Sequence, residues 1–317
     1  MDALSDVLRI ARLTGGVFLH AEFTAPWCIA ARASPEHCQP FLGPTSHVIP
    51  YHYVAEGELE LAVENEPVIP LKAGEIAIVP RNDFHRMGSD VAQPPVPAQE
   101  VIVPPEGCGL FSIRHGKGGA PTRMICGFLG CDRESGNAVV AMLPTVMKIG
   151  VEEIGPAEWI RTTLEYAAGE IALGRPGSET VLAKLSELLF VEAVRRYVTT
   201  MPKDQTGWLA GLADPVVAHV LALLHGDISR DWGLEELARR SGVSRTILAE
   251  RFANTVGMAP IQYLSQWRMQ VAAHELRTSR ESLIRIAEKV GYESEAAFSR
   301  AFKKAFGTAP ATWRRAE

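Results

Sequence analysis

A repeat near the C-terminus constrains the fold of this 317-residue chain more than any other feature. Leu237-Ala238, Gly242 and Val243 recur 49 positions later as Ile286-Ala287, Gly291 and Tyr292. After one inserted residue the offset becomes 50, and further positions match in the same order. They pair Ser244, Leu248, Phe252, Gly257, Ala259, Pro260 and Tyr263 with Ser294, Phe298, Phe302, Gly307, Ala309, Pro310 and Trp313. The repeat therefore predicts one supersecondary unit that occurs twice.

Each copy has the residue types of a helix-turn-helix. The first helix, predicted over 234–241 and again over 283–290, ends at a glycine that suits a left-handed turn position. Ser244 or Ser294 then caps a second helix, whose apolar face is buried and whose other face is free for the major groove. A connecting helix, predicted over 260–276, allows the two second helices to enter successive grooves about 34 Å apart. A plain helical bundle is the alternative, but it does not require two capped copies in one register.

The region 214–315 resembles the DNA-binding domain of the AraC/XylS family of bacterial transcription regulators. The resemblance implies an all-α domain, with helix-turn-helix units at about 232–253 and 281–304, that binds double-stranded promoter DNA and acts on RNA polymerase as an activator. The matching residues are Leu237-Ala238, Gly242-Val243-Ser244, Phe252, Gly257, Pro260, Tyr263, Arg268, Ile286-Ala287, Val290-Gly291-Tyr292, Phe298, Arg300, Phe302-Lys303, Phe306-Gly307 and Pro310.

The outer face of each second helix is the predicted DNA-reading surface. Arg300 suits the acceptor edge of guanine and Glu250 the amino group of cytosine, although Glu250 also repels phosphate. By the resemblance, Thr246, Glu250, Ala296 and Arg300 face bases. The whole predicted face comprises Arg245, Thr246, Ala249, Glu250, Glu295, Ala296, Ser299 and Arg300, while Arg245, Lys303, Lys304, Arg314 and Arg315 are expected at phosphates.

The formal net charge of −5 is divided unevenly along the chain. From Asp214 onward there are 15 Lys and Arg against 12 Asp and Glu, a net charge of +3, so the preceding residues carry −8. This asymmetry has the sign expected when one domain meets phosphates and the other does not.

Residues 17–150 contain short apolar stretches between Gly and Pro turns, which predicts a β-sandwich or barrel. Two spacings resemble the motifs of cupins, which are small β-barrels: Gly74-x5-Pro80-x4-His85, and His52-x3-Glu56-Gly57. Pro50 stands where the first cupin motif normally has another histidine. The resemblance implies a cupin-like effector domain over 1–150.

His52, Glu56 and His85 are the candidate metal ligands of this domain, and imidazole with carboxylate suits Zn, Fe or Ni. The alternative is a metal-free barrel whose histidines are hydrogen-bonded in or near the pocket. The rival function from another class is a metal-dependent cupin oxygenase or isomerase fused to a DNA-binding tail. The missing histidine counts against that enzyme.

The sequence predicts a cytoplasmic protein without a membrane span. It has five cysteines that lack the spacing of a disulfide framework, no basic leader and no stretch of eighteen apolar residues. Met1–Ser5, Pro26-Trp27-Cys28, His47–His52 and Cys126–Cys131 resemble an AraC-type subgroup with some oxidant-sensing members. Cys28, Cys126 and Cys131 are therefore the candidate redox residues, with Cys38 as a fourth thiol. The alternative is that these cysteines are small buried hydrophobes.

Residues 151–205 predict two helices, over about 156–173 and 178–200, followed by a linker at 202–207. Leu182, Leu185, Leu189 and Ala193 recur at helical spacing, which fits either a hairpin packed on the barrel or the dimerisation helix of a homodimer. The sequence thus predicts a two-domain α+β chain in which a small molecule, metal or oxidant received by the N-terminal domain controls an all-α DNA-binding domain.

Overall fold

The computed structural model describes residues 2–11, 13–34, 38, 42, 47–104, 111–131, 140, 143–150, 162, 166, 177–202 and 205–315. Contacts divide the chain into two compact units. The strand unit comprises Leu13–Gly136 and Leu143–Tyr197, and the helical unit comprises Met1–Arg12, Asn137–Met142 and Val198–Glu317.

The strand unit contains two sheets. Their described strands are β1 (Thr14–Thr24), β2 (Cys28–Ala31), β3 (His47–Glu56), β4 (Glu58–Val63), β5 (Ile69–Lys72), β6 (Glu75–Ile78), β7 (His85–Gly88), β8 (Val96–Pro97), β9 (Ile102–Val103), β10 (Phe111–Gly116), β11 (Pro121–Cys131) and β12 (Met147–Gly150). One sheet has the order β12-β6-β3-β11-β1-β10-β9, and the other has the order β5-β4-β7-β2-β8. The two-sheet layout confirms the strand-rich N-terminal fold, although the described strands do not close into one continuous barrel.

The core of the strand unit contains side chains from both sheets. Leu19, Val54 and Met124 come from the seven-stranded sheet, Leu61 comes from the five-stranded one, and Trp27 directly precedes β2 of the latter. Each of these side chains is at most 6% exposed. Alternate residues of a strand lie on one face, so the outer positions remain free for charged pairs such as Arg114 with Glu22.

The strand unit also contains helix α2 (Ala98–Val101) and helix α3 (Ser178–Thr200), except for the last three residues of α3. The bounds of α3 are those predicted for the second helix of the 151–205 segment, whereas nearly all of the first predicted helix lies outside the described residues. Leu189 and Ala193 pack against Tyr51, Ile78 and Leu129 of the seven-stranded sheet. Val181 and Leu188 lie on α3 as well, and they are 37% and 46% exposed. The side chain of Leu182 lies outside the description.

The helical unit contains both copies of the repeat. Its described helices are α1 (Ala3–Ala11), α4 (Trp208–Ala213), α5 (Pro215–Gly226), α6 (Leu234–Arg240), α7 (Arg245–Val256), α8 (Pro260–Thr278), α9 (Leu283–Lys289), α10 (Glu295–Phe306) and α11 (Pro310–Arg315). The helix-turn-helix units are therefore α6–α7 and α9–α10, joined by α8, as the repeat predicted.

The caps and turns of the two copies match the prediction in detail. The hydroxyls of Ser244 and Ser294 each accept a hydrogen bond from the backbone N–H three residues later, at 3.2 Å. Gly242 and Gly291 adopt φ of +69° and +78°, the left-handed region that favours glycine. Leu248, Phe252, Phe298 and Phe302 are completely buried. Both second helices thus keep their outer faces exposed.

The N-terminal helix α1 packs on α5 and belongs to the helical unit, whereas the predicted boundary placed all of 1–150 in the effector domain. Asp6, which is 6% exposed, faces Nδ1 of the buried His225 at 3.4 Å, an ion-pair distance without hydrogen-bond alignment. His225 Nε2 accepts from the Tyr263 hydroxyl at 2.7 Å, and that hydroxyl accepts from Trp208 Nε1. Burial lowers the pKa of His225 to about 4 despite the carboxylate.

The two turn glycines differ in surroundings, which gives a matched pair of substitutions. A methyl group on Gly242 would meet no atom within 4 Å, so Gly242→Ala should cost only the left-handed backbone, about 1–2 kcal/mol. A methyl group on Gly291 would lie 2.5 Å from the Ser229 carbonyl oxygen, so Gly291→Ala should cost about 1–3 kcal/mol more. Urea denaturation followed by far-UV circular dichroism measures both losses. Equal losses would contradict the close approach at Gly291.

Candidate effector cavity and DNA-reading helices

A cavity of about 310 Å³ lies between the two sheets of the strand unit. Small-molecule sites commonly span about 300–1,000 Å³, so the cavity has the size of a small-ligand site. Its wall is mainly aliphatic and aromatic. The described lining residues are Leu19, Ala21, Phe23, Ile29, Ala31, Arg32, Ala33, Ser34, Cys38, Pro50, His52, His85, Met87, Ala98, Gln99, Ile102, Phe111, Ile113, Cys126 and Phe128.

Two imidazoles and a thiol form a contiguous polar group in this wall. Cys126 of β11 lies directly opposite His52 of β3, and its Sγ is 3.1 Å from His52 Nδ1. His52 Nε2 is 3.0 Å from Nε2 of His85, which lies on β7 in the other sheet. His85 Nδ1 is 2.8 Å from the Asp83 carbonyl oxygen. The histidine pair therefore links the two sheets across the cavity.

The carbonyl of Asp83 fixes the direction of every hydrogen bond in this group. A carbonyl oxygen only accepts, so His85 Nδ1 donates and the Nε2 of neutral His85 is an acceptor. His52 Nε2 must then donate to His85, which leaves His52 Nδ1 as an acceptor for the Cys126 thiol. We name this arrangement the polar chain: Cys126 S–H to His52, His52 to His85, and His85 to the Asp83 carbonyl.

Burial keeps every member of the polar chain uncharged. It lowers the pKa of His52 well below 6.5, and the nearby His85 lowers it further. Burial also lowers the pKa of His85, and it raises the pKa of the Cys126 thiol to about 12. Neutral rings and a protonated thiol are the forms that the hydrogen-bond directions require, so geometry and electrostatics agree.

The predicted set of three metal ligands does not assemble. Glu56 pairs with Arg123 at the end of β3, and both side chains are partly exposed away from the cavity. A register shift causes this, since Val54 pairs with Met124 and Glu56 with Arg123, leaving Ala55 as an extra residue. Such a bulge moves the following side chain to the other face of the sheet. Among the described residues, no three His, Cys, Asp or Glu side chains converge. The described residues therefore do not fit a cupin-type metal site.

The cysteines named as redox candidates are all buried. Burial raises the pKa of Cys28 and brings that of Cys38 to about 11. A reactive thiol needs a lowered pKa and access to solvent, so these environments disfavour the thiolate. Of the three candidates, only Cys126 lines the cavity; Cys28 and Cys131 do not. Oxidant sensing by these residues stays a prediction.

In the helical unit, the predicted DNA-reading residues lie on the outer faces of α7 and α10. Ala249 and Ser299 are half-buried, next to the apolar faces of their helices. Ile247, which is 50% exposed, also lies on α7 and was not predicted. The exposed members of the predicted sets are Arg245, Thr246, Glu250, Glu295, Ala296, Arg300, Lys303, Lys304 and Arg315.

Three arginines of the helical unit have structural partners. The Arg314 guanidinium donates to the Glu281 carbonyl at 2.6 Å, so its expected role at a phosphate is not supported. Arg251 Nε donates to Asp214, which also caps α5. Arg268 donates to the carbonyls of Ile228, Ser229 and Arg230. Sequence reasoning missed these contacts because their acceptors are backbone carbonyls and a distant carboxylate.

The comparisons with known proteins agree with both units. A family described as "Cupin" matches residues 2–199, and one described as "Helix-turn-helix domain" matches residues 237–316. A putative AraC-like transcription regulator of Streptomyces lividans is 30% identical over 99% of this chain and 98% of its own length. The chain belongs to the AraC-like transcription regulators.

Two other relatives of this regulator have the same full-length coverage. The HTH-type transcriptional regulator AlkR of Acinetobacter baylyi is 26% identical over 99% of both chains. The RCS-specific HTH-type transcriptional activator RclR of Escherichia coli is 24% identical over 99% of this chain and 97% of its own. Within the described residues, no helix combines the length and apolar character needed to cross a bilayer.

The buried histidines give this regulator a defined pH dependence. Their folded-state pKa values lie below 6.5, so the unfolded chain takes up protons first as the pH falls below 6.5. The contribution of these two histidines to the free energy of unfolding is therefore fully present above pH 6.5 and is lost as the pH falls below it, with a limiting slope of about 1.4 kcal/mol per pH unit for each histidine. The measurement is hydrogen–deuterium exchange of the β3 backbone amides over a urea series, because these amides report the unfolding of the strand unit separately from that of the helical unit.

The matched variants are His52→Gln with His85→Gln, and His115→Gln as a control on β10 outside the polar chain. The double variant should lose most of the acid-side slope, whereas the control should keep it. An unchanged slope in the double variant would show that other groups cause the acid sensitivity.

Proposed function

We propose that a small effector bound in the cavity controls how this regulator meets its promoter. The observation that carries the proposal is an apolar cavity of ligand size in which the buried polar side chains His52, His85 and Cys126 are already hydrogen-bonded to one another. A ligand replaces no essential core side chain when it enters. It biases a conformational equilibrium through its differential affinity for two states. The relative named a transcriptional activator supports activation as the direction of control, with RNA polymerase as the partner at the promoter.

Filling the cavity tests this function. Ala31→Phe places a ring in the cavity from β2, and Ala30→Phe is the matched control, since Ala30 is the neighbouring half-buried residue and does not line the cavity. The operator is first selected from random DNA with the purified chain. Reporter transcription from that operator should respond to growth conditions in the wild type and the control but stay constant in Ala31→Phe. A normal response in Ala31→Phe would place the sensor elsewhere.

We propose that the two second helices contribute unequally to DNA binding. On α10, Arg300 is the base-reading residue, and Lys303 and Lys304 approach phosphates. On α7, Arg245 is exposed, but Glu250 is acidic and Arg251 is held by Asp214. The free positive charge therefore lies mainly on α10.

Substitutions on the two helices measure this inequality. Arg300→Ala should cost about 1–3 kcal/mol on the selected operator, concentrated at one base pair. Glu250→Ala removes a charge that repels phosphate, so it should cost less or strengthen binding. Fluorescence anisotropy on operators with single base changes gives both values. A uniform loss for Arg300→Ala on all sequences, with a shallower salt dependence, would make Arg300 a phosphate contact instead.

We further propose that the exposed face of α3 forms a homodimer. Val181 and Leu188 lie two helical turns apart on one face, with the half-buried Leu185 between them. Lys184 and Glu192 lie four residues to either side of Leu188. An antiparallel crossing centred on Leu188 brings Lys184 next to Glu192 of the partner subunit. Within one helix, Lys184 pairs with Glu187 and Glu192 pairs with Arg196, so the partner's charges would extend these ion pairs across the seam, which supports a second copy as the occupant.

Leu188→Glu should weaken this dimer, because the crossing would bring two carboxylates together in an apolar seam. We expect the dimer dissociation constant to rise at least about tenfold, which corresponds to about 1.4 kcal/mol. Sedimentation velocity over a range of concentrations measures it. Val68→Glu, at a position 49% exposed and away from α3, is the control. Unchanged association of Leu188→Glu would exclude this face.

A further inference from the structure

The mouth of the cavity differs chemically from its interior. Only two of the described lining residues are exposed, Arg32 directly after β2 and Gln99 on α2. All the other lining residues are buried or half-buried. These two side chains therefore mark where the cavity opens to solvent, and the half-buried Ser34 follows two residues after Arg32.

Arg32 has no ion-pair or hydrogen-bond partner in the part of the chain that the structure describes. Several other arginines of the strand unit are held: Arg114 by Glu22, Arg123 by Glu56 and Arg81 by the Leu143 carbonyl. No Asp or Glu occurs among the described lining residues either. Among the described residues of the rim, the positive charge of Arg32 is therefore uncompensated.

The interior offers a ligand little except apolar contact. Every ring nitrogen of His52 and His85 is used within the polar chain, and the Cys126 thiol donates to His52. A polar ligand group placed deep in the cavity would have to break these bonds, and a buried unpaired polar group is costly. The ligand's polar group therefore belongs at the mouth and its apolar body inside.

We infer that the effector is a small organic acid, with its apolar body between the sheets and its anionic group on Arg32. The inference rests on the proposed effector function and names its ligand class. A guanidinium presents two parallel N–H groups that match a carboxylate, and the Gln99 amide and the Ser34 hydroxyl supply further donors. A cationic ligand would meet Arg32 without any acidic partner, so an amine of the same shape is disfavoured.

Isothermal titration calorimetry on the full-length chain with octanoate, octanol and octylamine tests this assignment, because the three probes share one apolar body. Octanoate should bind most tightly and octylamine least. Arg32→Gln should weaken octanoate binding by about tenfold or more and leave octanol binding unchanged, because only the acid uses the charge. Arg32→Lys should retain part of the preference. Arg86→Gln is the control, since Arg86 lies between His85 and Met87 on the other face of β7 and does not line the cavity.

The outcomes separate the ligand class from the proposed function. Equal binding of octanol and octanoate, with no effect of Arg32→Gln, would overturn the acid and leave a neutral apolar effector. Tightest binding of octylamine would overturn it as well. Binding of none of the three probes would count against both the acid and the cavity as an effector site. An octanoate preference that survives Arg32→Gln but is lost in Arg86→Gln would place the anion elsewhere.

Discussion

The strand unit depends on a simple constraint: polar groups placed between two sheets, away from water, must satisfy one another. His52 and His85 meet this constraint by bonding across the gap, one from each sheet, and the Asp83 carbonyl and the Cys126 thiol close the two ends. The remaining interior wall can then be aliphatic and aromatic, and the charged Arg32 lies at the mouth, where it is exposed to solvent. The interior of the cavity is stable because His52, His85 and Cys126 are hydrogen-bonded in their neutral forms without a ligand.

Much of the helical unit was predictable because the repeat places the same caps, turn glycines and apolar residues at the same spacing in both copies. The caps at Ser244 and Ser294, the left-handed glycines and the buried phenylalanines all follow from local rules that depend on a few neighbouring residues. The unequal charge of the two second helices was also visible in the sequence at Glu250 and Arg300. The roles of Arg251, Arg268 and Arg314 were not, since each depends on an acceptor at least 33 positions away.

In the strand unit, the two histidines were predicted as candidate ligands, but their contact with Cys126 was not. That contact needs the register of β3 against β11, which no residue pattern in either strand specifies. The error at Glu56 has the same origin. Strict alternation puts His52, Val54 and Glu56 on one face, and one extra residue at Ala55 turns Glu56 outward. Periodicity predicts strands well but predicts poorly which residue meets which partner.

The position of α1 has a consequence for how the protein is made. Asp6 and His225 are 219 positions apart in the sequence, yet they face each other inside one compact unit. During synthesis, α1 therefore emerges before α5, the helix on which it packs. Its apolar face has no packing partner until the intervening strands and α5 have been produced. A ribosome that stalls in between leaves that face uncovered, and a fragment that begins at the linker lacks it altogether. The helical unit is thus built from segments that are far apart in the sequence, so α1 can pack on α5 only after the strands between them have been synthesised.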